Sequence, residues 1–338
     1  MTQPPLSARV TAPADLQPAL VPGVTWRAAD LDDLDAVVAH YAAMSSVDHP
    51  VWTESRDEVE QEFTHSWTDL EHDTLVGESS GRIVAFGQVI APPEPETIVR
   101  SLLFGGVHPG FRGRGIGRSL LAWQEGRGRQ QLAASELTLP GWILAYSDEG
   151  NGGAAHLLER SGFATQRYFR QLERVLADPI PDLDLPEPLT LVNLSDERSE
   201  ATRIAKNDAF RDHWGSQPTT IEQWDGQMST PASRRDLSFL ALEGNDVVGF
   251  VVVEANEADW VLQGYRGNYV ALVGVVAPWR RRGVAPALLA ASLRAARDAG
   301  LERTVLDVDS DSPTGAFGLY TGMGFTQATG TRAHVKEL

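Results

Sequence analysis

The chain has 338 residues, of which 42% are hydrophobic and 22% are charged, and it contains no cysteine. This length and composition predict about two globular domains. The absence of cysteine excludes disulfides, thiolate metal sites and a cysteine nucleophile. The formal net charge of −17 argues against a nucleic-acid partner, because phosphate contacts need a basic face. The same charge favours cationic substrates, although it would also serve solubility alone.

No stretch of the sequence is long and apolar enough for us to expect a membrane span. The first 20 residues lack a basic segment followed by an apolar one, so we expect no secretion signal and a cytoplasmic protein. The histidines do not show metal-ligand spacing, and we expect no metal. The sequence leaves open whether the protein is a monomer or a homodimer.

The first half of the chain predicts one mixed α/β domain at residues 23–176, preceded by a loose arm at residues 1–22. Strands are predicted at 24–28, 75–78, 83–91, 97–107, 142–146 and 168–175. Helices are predicted at 30–44, 52–70, 115–131 and 151–160.

A segment at residues 177–188 carries four prolines and four acidic residues and predicts a stiff, hydrated linker. The pattern then restarts in a second domain at residues 189–338. Strands are predicted at 189–194, 239–243, 247–254, 268–276 and 304–308, and helices at 199–210, 220–227, 286–299 and 314–320. The first half therefore gives the order β-α-α-β-β-β-α-β-α-β, and the second half repeats this order through its last helix, which indicates two copies of one domain.

One stretch occurs in both halves. Residues 102–121 align with residues 270–289 without a gap when Gly106 is set against Gly274. The alignment matches Arg112 with Arg280, Gly115 with Gly283, and Gly117 with Ala285. In each copy a buried strand leads through a basic loop into a helix, which we expect to start at Pro286 in the second copy. Backbone N–H groups and the positive end of the helix dipole would converge there, as at a phosphate site.

The pattern R-x-x-G-x-G/A between a strand and a helix resembles the acetyl-coenzyme A signature of the GCN5-related N-acetyltransferases (GNAT family). The tandem arrangement resembles two-domain members of the mycothiol synthase type. The resemblance implies an α/β fold with a mixed sheet in two tandem GNAT domains. It also implies acetyl-coenzyme A as co-substrate and a small-molecule amine as acceptor.

The resemblance implies that the diphosphate binds backbone N–H groups at residues 281–285, and that the pantetheine arm runs beside residues 272–276. A backbone N–H of that strand would donate to the oxyanion. The expected cofactor-binding residues of the second half are Leu272, Val273, Val275, Val276, Arg280, Arg281, Arg282, Gly283, Val284, Ala285, Pro286 and Ser312. Those of the first half are Val107, Arg112, Gly113, Arg114, Gly115, Ile116, Gly117 and Asn151. The second half departs from the family pattern in having Ser312 instead of asparagine and a proline displaced to Pro278.

Tyr320 matches the family's general acid, whereas the first half has Leu158 at the aligned position. The second half is therefore the expected catalyst, and the first half is expected to be structural or regulatory, with or without bound acetyl-coenzyme A. The base is open, because the central strand at residues 268–276 holds no carboxylate. Glu254 and His213 are the candidates, Asp307 and Asp309 share one face of the next strand, and water is an alternative.

The segment Phe210, Asp212, His213 and Trp214 joins two predicted helices and is expected to border the acceptor pocket. An ordinary loop anchored by a buried tryptophan would have the same sequence. Two other functions stay open at this point. One is a non-catalytic acetyl-coenzyme A sensor or scaffold, and the other is acetylation of proteins or peptides.

Overall fold

The computed structural model describes residues 3–49, 51–311 and 315–338, and the chain divides into two compact units. Unit 1 contains the chain up to Arg167 together with Thr331–Leu338, and unit 2 is Tyr168–Gly330.

The helices and strands follow the predicted order closely. The elements of the first half are α1 (Leu6–Arg9), β1 (Thr25–Arg27), α2 (Leu34–Asp48), α3 (Arg56–Thr64), α4 (Leu70–Asp73), β2 (Thr74–Ser79), β3 (Arg82–Ile90), β4 (Val99–Val107), α5 (Ile116–Ala133), β5 (Gly141–Asp148), α6 (Gly152–Arg160) and β6 (Ala164–Val175). Those of the second half are β7 (Thr190–Asn193), α7 (Asp196–Ala209), α8 (Ile221–Ser229), β8 (Phe239–Glu243), β9 (Asp246–Glu254), α9 (Glu257–Gln263), β10 (Gly267–Val275), α10 (Val284–Asp298), β11 (Arg303–Asp309), α11 (Ala316–Gly322) and β12 (Thr326–Glu337).

Each unit is a mixed sheet with helices on both faces. The strand order is β1-β2-β3-β4-β5-β12 in unit 1 and β6-β11-β10-β9-β8-β7 in unit 2. The parallel neighbours are β4 with β5 and β10 with β11. In unit 2 one core cluster includes Leu288 of α10, and a second includes Trp224 of α8. Unit 1 repeats this division, with Leu120 of α5 in one cluster and Val37 of α2 in the other.

Each unit contains one strand segment from the other half of the chain. Residues 331–337 of β12 pair with β5 in unit 1, and residues 169–175 of β6 pair with β11 in unit 2. Residues 177–188, which we expected to be a linker, lie within unit 2. Ile180, Leu183 and Leu185 of this segment pack against the core of that unit.

The parallel strands of unit 2 pair over a short distance and then diverge. Their register extends only from Gly267 opposite Arg303 to Tyr269 opposite Val305, although both strands continue further. Just beyond, the register of β10 with β9 shifts between Val270 and Leu272, so that Ala271 is an extra, bulged residue. In unit 1 the pairing of β3 with β4 shows no such shift.

Two helix predictions were wrong at their boundaries. The predicted helix at residues 52–70 is shorter than expected. A capping box at Ser55 and Glu58 starts α3 only at Arg56, and the helix ends at Thr64. Helix α10 begins at Val284 and not at Pro286, since Gly283 is its N-cap. Pro286 is then the third helical residue and still lies in the first turn, where a missing N–H costs no helical bond.

The prediction of a loose N-terminal arm was also wrong. Leu6 is fully buried in the core of unit 1, with 0% of its surface exposed, and Val10 is buried beside it. Further along, Ser119 of α5 donates a hydrogen bond of 2.7 Å to the carbonyl of Ala19. Helix α1 is four residues long. A helix of about one turn is too short to produce a periodic pattern in the sequence.

No helix within the described ranges has the length and apolar composition that a membrane crossing requires.

Replacing Leu6 by alanine is expected to lower the free energy of unfolding by about 2 to 5 kcal/mol, because the substitution leaves a cavity in the core of unit 1. Leu20→Ala is the matched control, since Leu20 is 96% exposed. It should change the free energy of unfolding by less than about 0.5 kcal/mol. Urea unfolding followed by circular dichroism measures both, and equal small effects would show that the arm does not pack.

Candidate functional site

The repeated motif forms the same turn in both units. Gly283 precedes α10 with φ +86°, and Gly115 precedes α5 with φ +85°. No heavy atom lies within 4 Å of a Cβ built at either position, so there is room for a larger side chain. Glycine is favoured at both positions because the backbone is left-handed. The first N–H groups of each helix have no acceptor within the helix and point out of its N-terminus. This arrangement suits a phosphate group.

The first arginine of each motif holds its loop against the strand that precedes it. The Nε of Arg280 donates to the carbonyl of Val275 at 3.1 Å, and the Nε of Arg112 donates to the carbonyl of Val107 at 3.0 Å. Each guanidinium also reaches the end of the first long helix in its unit. Arg112 binds Asp48 through two hydrogen bonds of 2.7 and 2.5 Å, and Arg280 donates to the carbonyl of Ala209 at 2.9 Å.

The next two arginines of unit 2 are exposed beside the helix N-terminus. Arg281 has the left-handed φ of 60°, and the guanidinium of Arg282 lies 4.8 Å from the centre of the Trp279 ring. Trp279 is held in turn by a hydrogen bond of 3.1 Å from its indole N–H to Glu243. The positive charge that an anion would meet at this loop therefore comes mainly from Arg281 and Arg282.

The pairing of β10 with β11 ends at Tyr269, although β10 continues to Val275, close to this loop. From Val270 to Val275 the described register of β10 has no partner on β11. Leu272, Val273, Val275 and Val276 are half-buried along this stretch. Unpaired backbone groups at such an edge accept an extended ligand as they would accept another strand.

Tyr320 of α11 is buried in the core of unit 2, with its ring edge-on to Phe325 at 5.9 Å. Burial raises the pKa of its hydroxyl to about 12, and no described residue hydrogen-bonds that hydroxyl. Leu158 of α6 occupies the same place in unit 1. The N–H of Phe325 donates to the Tyr320 carbonyl, and the N–H of Phe163 donates to the Leu158 carbonyl, both at 3.1 Å.

The asparagine expected at the cofactor arm of unit 1 is a helix cap. The side-chain oxygen of Asn151 accepts a hydrogen bond of 3.0 Å from the Ala154 N–H. Its counterpart in the second half, Ser312, lies outside the described residues.

The predicted acceptor segment of unit 2 is an aromatic cluster beside the motif arginine. The rings of Phe210 and His213 are 4.6 Å apart, and Trp214 lies 6.4 Å from Phe169. Asp212 is 3.7 Å from the Arg280 guanidinium. Burial and, to a smaller extent, Arg280 lower the pKa of His213.

A side chain that the sequence analysis missed, Tyr269, links two of the carboxylates that it named. The hydroxyl of Tyr269 donates a hydrogen bond of 3.0 Å to Asp307. Tyr269 is also the register partner of Glu254, which accepts a hydrogen bond of 2.7 Å from Gln227. In the ungapped alignment Tyr269 corresponds to Ser101. In the strand registers, which include the bulge, Tyr269 corresponds to Leu102. The ungapped alignment hides the one-residue bulge, so the sequence carried no signal that would have found Tyr269.

Within the described ranges, no group of three or more histidine, aspartate and glutamate side chains is arranged to hold a metal ion.

Comparison with known proteins gives consistent matches. The model of the Acetyltransferase (GNAT) family matches residues 38–163 and 199–325. The mycothiol acetyltransferase of Thermobispora bispora is 32% identical over 246 residues, which cover 70% of this chain and 74% of the relative. That of Streptomyces bingchenggensis is 30% identical over 262 residues, covering 76% and 78%.

Solved structures share the fold over almost the whole chain. A GCN5-related N-acetyltransferase from Sphaerobacter thermophilus superposes with a TM-score of 0.71 and 26% identity, covering 94% of this chain and 97% of its own. A tandem GNAT protein from the clavulanic acid biosynthesis pathway superposes with a TM-score of 0.65 and 15% identity, covering 93% of this chain and 98% of its own. At this identity the match shows the fold alone. The chain therefore belongs to the acetyltransferase (GNAT) family and contains two copies of that family's domain.

Proposed function

We propose that the protein transfers an acetyl group from acetyl-coenzyme A to a primary amine of a small molecule, and that unit 2 carries out the reaction. The observation that carries this proposal is an asymmetry between the units. Both have the glycine turn at a helix N-terminus, but Tyr320 of unit 2 corresponds to Leu158 of unit 1, and Ala271 is bulged only in unit 2. A leucine side chain has no proton to donate.

The residues of unit 2 fit acetyl-coenzyme A, which supplies the acetyl group and leaves as a thiol. The N–H groups at the start of α10, with Arg281 and Arg282, would bind the diphosphate. The unpaired edge of β10 would hold the extended arm. The bulge at Ala271 releases backbone groups from the ladder, and an N–H there would donate to the thioester oxygen. The Tyr320 hydroxyl would protonate the departing sulfur.

A cationic small-molecule acceptor is supported by charge and by the relatives. Glu254, Asp307 and Asp309 add negative charge on the acceptor side of unit 2, and the whole chain has a net charge of −17. The similar curated proteins carry the name mycothiol acetyltransferase, which also points to a small acceptor. Glu254 and His213 are the candidates for the base that the sequence offered, and His213 is also a candidate for contacts to this acceptor.

The direct test is a thiol-release assay with acetyl-coenzyme A and a panel of small primary amines, run beside basic peptides. Release with small amines alone would support the proposal. Release with peptides alone would favour protein acetylation. If the folded protein binds coenzyme A but releases no thiol with any of the acceptors, it would be a sensor or scaffold.

Tyr320→Phe is expected to lower kcat by about 10² to 10⁴ while binding of coenzyme A persists, because the substitution removes only the proton donor. In the wild type the hydroxyl must be protonated, and its pKa is about 12. Activity that depends on it is therefore lost only as the pH rises through that value, and kcat should show no decline from this group below about pH 11. Steady-state kinetics and calorimetric titration with coenzyme A measure these effects. Full turnover by Tyr320→Phe would remove Tyr320 from the mechanism.

Gly283→Ala is expected to raise KM for acetyl-coenzyme A about tenfold, because a left-handed alanine costs about 1 to 2 kcal/mol and distorts the turn. Gly115→Ala is the matched variant in unit 1, since its φ and its open surroundings are the same. It should leave KM and kcat within about twofold of the wild type. The reverse result, with Gly115→Ala as the damaging change, would assign catalysis to unit 1.

A further inference from the structure

We infer that Asp307 accepts the proton of the acceptor amine in unit 2 and that Tyr269 is the positioning residue that holds the Asp307 carboxylate in place. The inference rests on the proposed function and deepens it, because it names the group that recognises a primary ammonium ion. It also accounts for a central strand that carries no carboxylate of its own.

Three adjacent strands bring this group together on one face of the sheet. Tyr269 of β10 lies directly opposite Glu254 of β9, and directly opposed residues share a face. Tyr269 is also the register partner of Val305 on β11, and Asp307 follows two residues later on the same face. The hydrogen bond of 3.0 Å from the Tyr269 hydroxyl to Asp307 joins β10 to β11 at this point.

Asp307 lies just beyond the paired part of β10 and β11. The last paired position of the parallel strands is Tyr269 with Val305, so Asp307 is the first residue of that face beyond the pairing. Its side chain is exposed, whereas its neighbours Leu306 and Val308 are buried. Glu254 lies on the opposite side of β10, within the paired part of the sheet, and already accepts a hydrogen bond from Gln227. Asp307 is therefore the carboxylate better placed for a ligand that enters between the strands.

Unit 1 lacks this polar group at the equivalent positions. Leu102 replaces Tyr269, Ile90 replaces Glu254 and Tyr146 replaces Asp307, as the registers of β3, β4 and β5 show. The two units share the phosphate turn, so this difference concerns the acceptor and not the carrier. It coincides with the difference between Tyr320 and Leu158.

The proposed reaction forms a C–N bond, breaks the C–S bond and moves protons through Asp307 and Tyr320. The acceptor ammonium gives a proton to the Asp307 carboxylate, and the nitrogen lone pair attacks the acetyl carbonyl carbon. The C–N bond forms, the C–S bond breaks, and the sulfur takes a proton from Tyr320. The nitrogen loses its second proton to solvent, solvent returns a proton to Tyr320, and Asp307 releases the proton that it took from the ammonium. The net reaction therefore frees one proton. The products are an N-acetyl amide and a free thiol.

Charged and titratable groups lie on every strand next to Asp307. They include Tyr269 on β10, Glu254 on β9, Asp309 on β11 and Glu173 on β6. The β6 residue opposite Asp307 is the neutral Gln171, and Arg170 follows opposite Val308. Burial raises the pKa of Tyr269 well above its usual value, and Asp307 and Glu254 raise it further. The Tyr269 hydroxyl therefore remains a hydrogen-bond donor at every pH at which the enzyme would be assayed.

The test uses the full chain with ¹³C-labelled aspartate carboxyl groups, and Asp307→Asn identifies the Asp307 resonance. In Tyr269→Phe the carboxylate loses a hydrogen bond to its charged form, so its pKa should rise by about one pH unit. The acid limb of kcat/KM for the amine should move to higher pH by the same amount, with KM for acetyl-coenzyme A unchanged. Asp307→Asn should lower kcat/KM for the amine by about 10² to 10⁴.

Tyr265→Phe is the matched control, because it makes the same change at a ring that lies 4.6 Å from the Arg303 guanidinium and outside this group. It should leave both the Asp307 titration and the acid limb in place. An unchanged Asp307 titration in Tyr269→Phe would overturn the inference. So would a raised Asp307 pKa with an unmoved acid limb, since another group would then be the base.

A titration with n-propylammonium chloride separates failure of this inference from failure of the proposed function. A bound ammonium ion should lower the pKa of Asp307 in the wild type, because a nearby cation favours the charged carboxylate. If no amine releases thiol, the proposed function fails by itself. This titration then tests the ammonium site by itself. An Asp307 pKa that stays unchanged when n-propylammonium is added would overturn the ammonium site.

Discussion

The divergence of two parallel strands organises the site of unit 2. Strands β10 and β11 are hydrogen-bonded only from Gly267 to Tyr269 on β10, and beyond Tyr269 they separate. Unpaired backbone groups need a partner, so the edge of β10 is suited to an extended ligand. The glycine turn at Gly283 follows the unpaired end of β10, and the Tyr269–Asp307 pair lies where the pairing stops. An elongated ligand can therefore be recognised by different chemistry at its two ends.

In each unit an arginine holds the loop that precedes the helix of the repeated motif. Arg280 joins the last carbonyl of β10 to the last carbonyl of α7, and Arg112 makes the corresponding contacts with Val107 and Asp48. These contacts fix the end of the strand relative to the helix that covers it. The signature arginine therefore has intramolecular partners in both units, whereas Arg281 and Arg282, which follow it in unit 2, are exposed.

The two units differ at the positions where chemistry would take place. The duplicated frame includes the left-handed glycine, the arginine contacts and the turn that ends the short helix at Phe163 or Phe325. The bulge at Ala271 has no counterpart in the pairing of β3 with β4. The residues near the end of the parallel pairing are Tyr269, Glu254 and Asp307 in unit 2, and their counterparts in unit 1 are mainly apolar. A single inserted residue both releases backbone groups from the ladder and changes which side chains face the cleft.

The sequence alone determined the order of strands and helices, the duplication and the position of each glycine turn, because these depend on local periodicity and on backbone conformations that only a few residues adopt. Tertiary structure decided where the units exchange strands and that Leu6 belongs to a core, since these depend on contacts between residues far apart in the chain. It also decided the partners of Tyr269. A bulge shifts the register by one residue without leaving a mark in local composition, so only the paired strands reveal which side chains share a face.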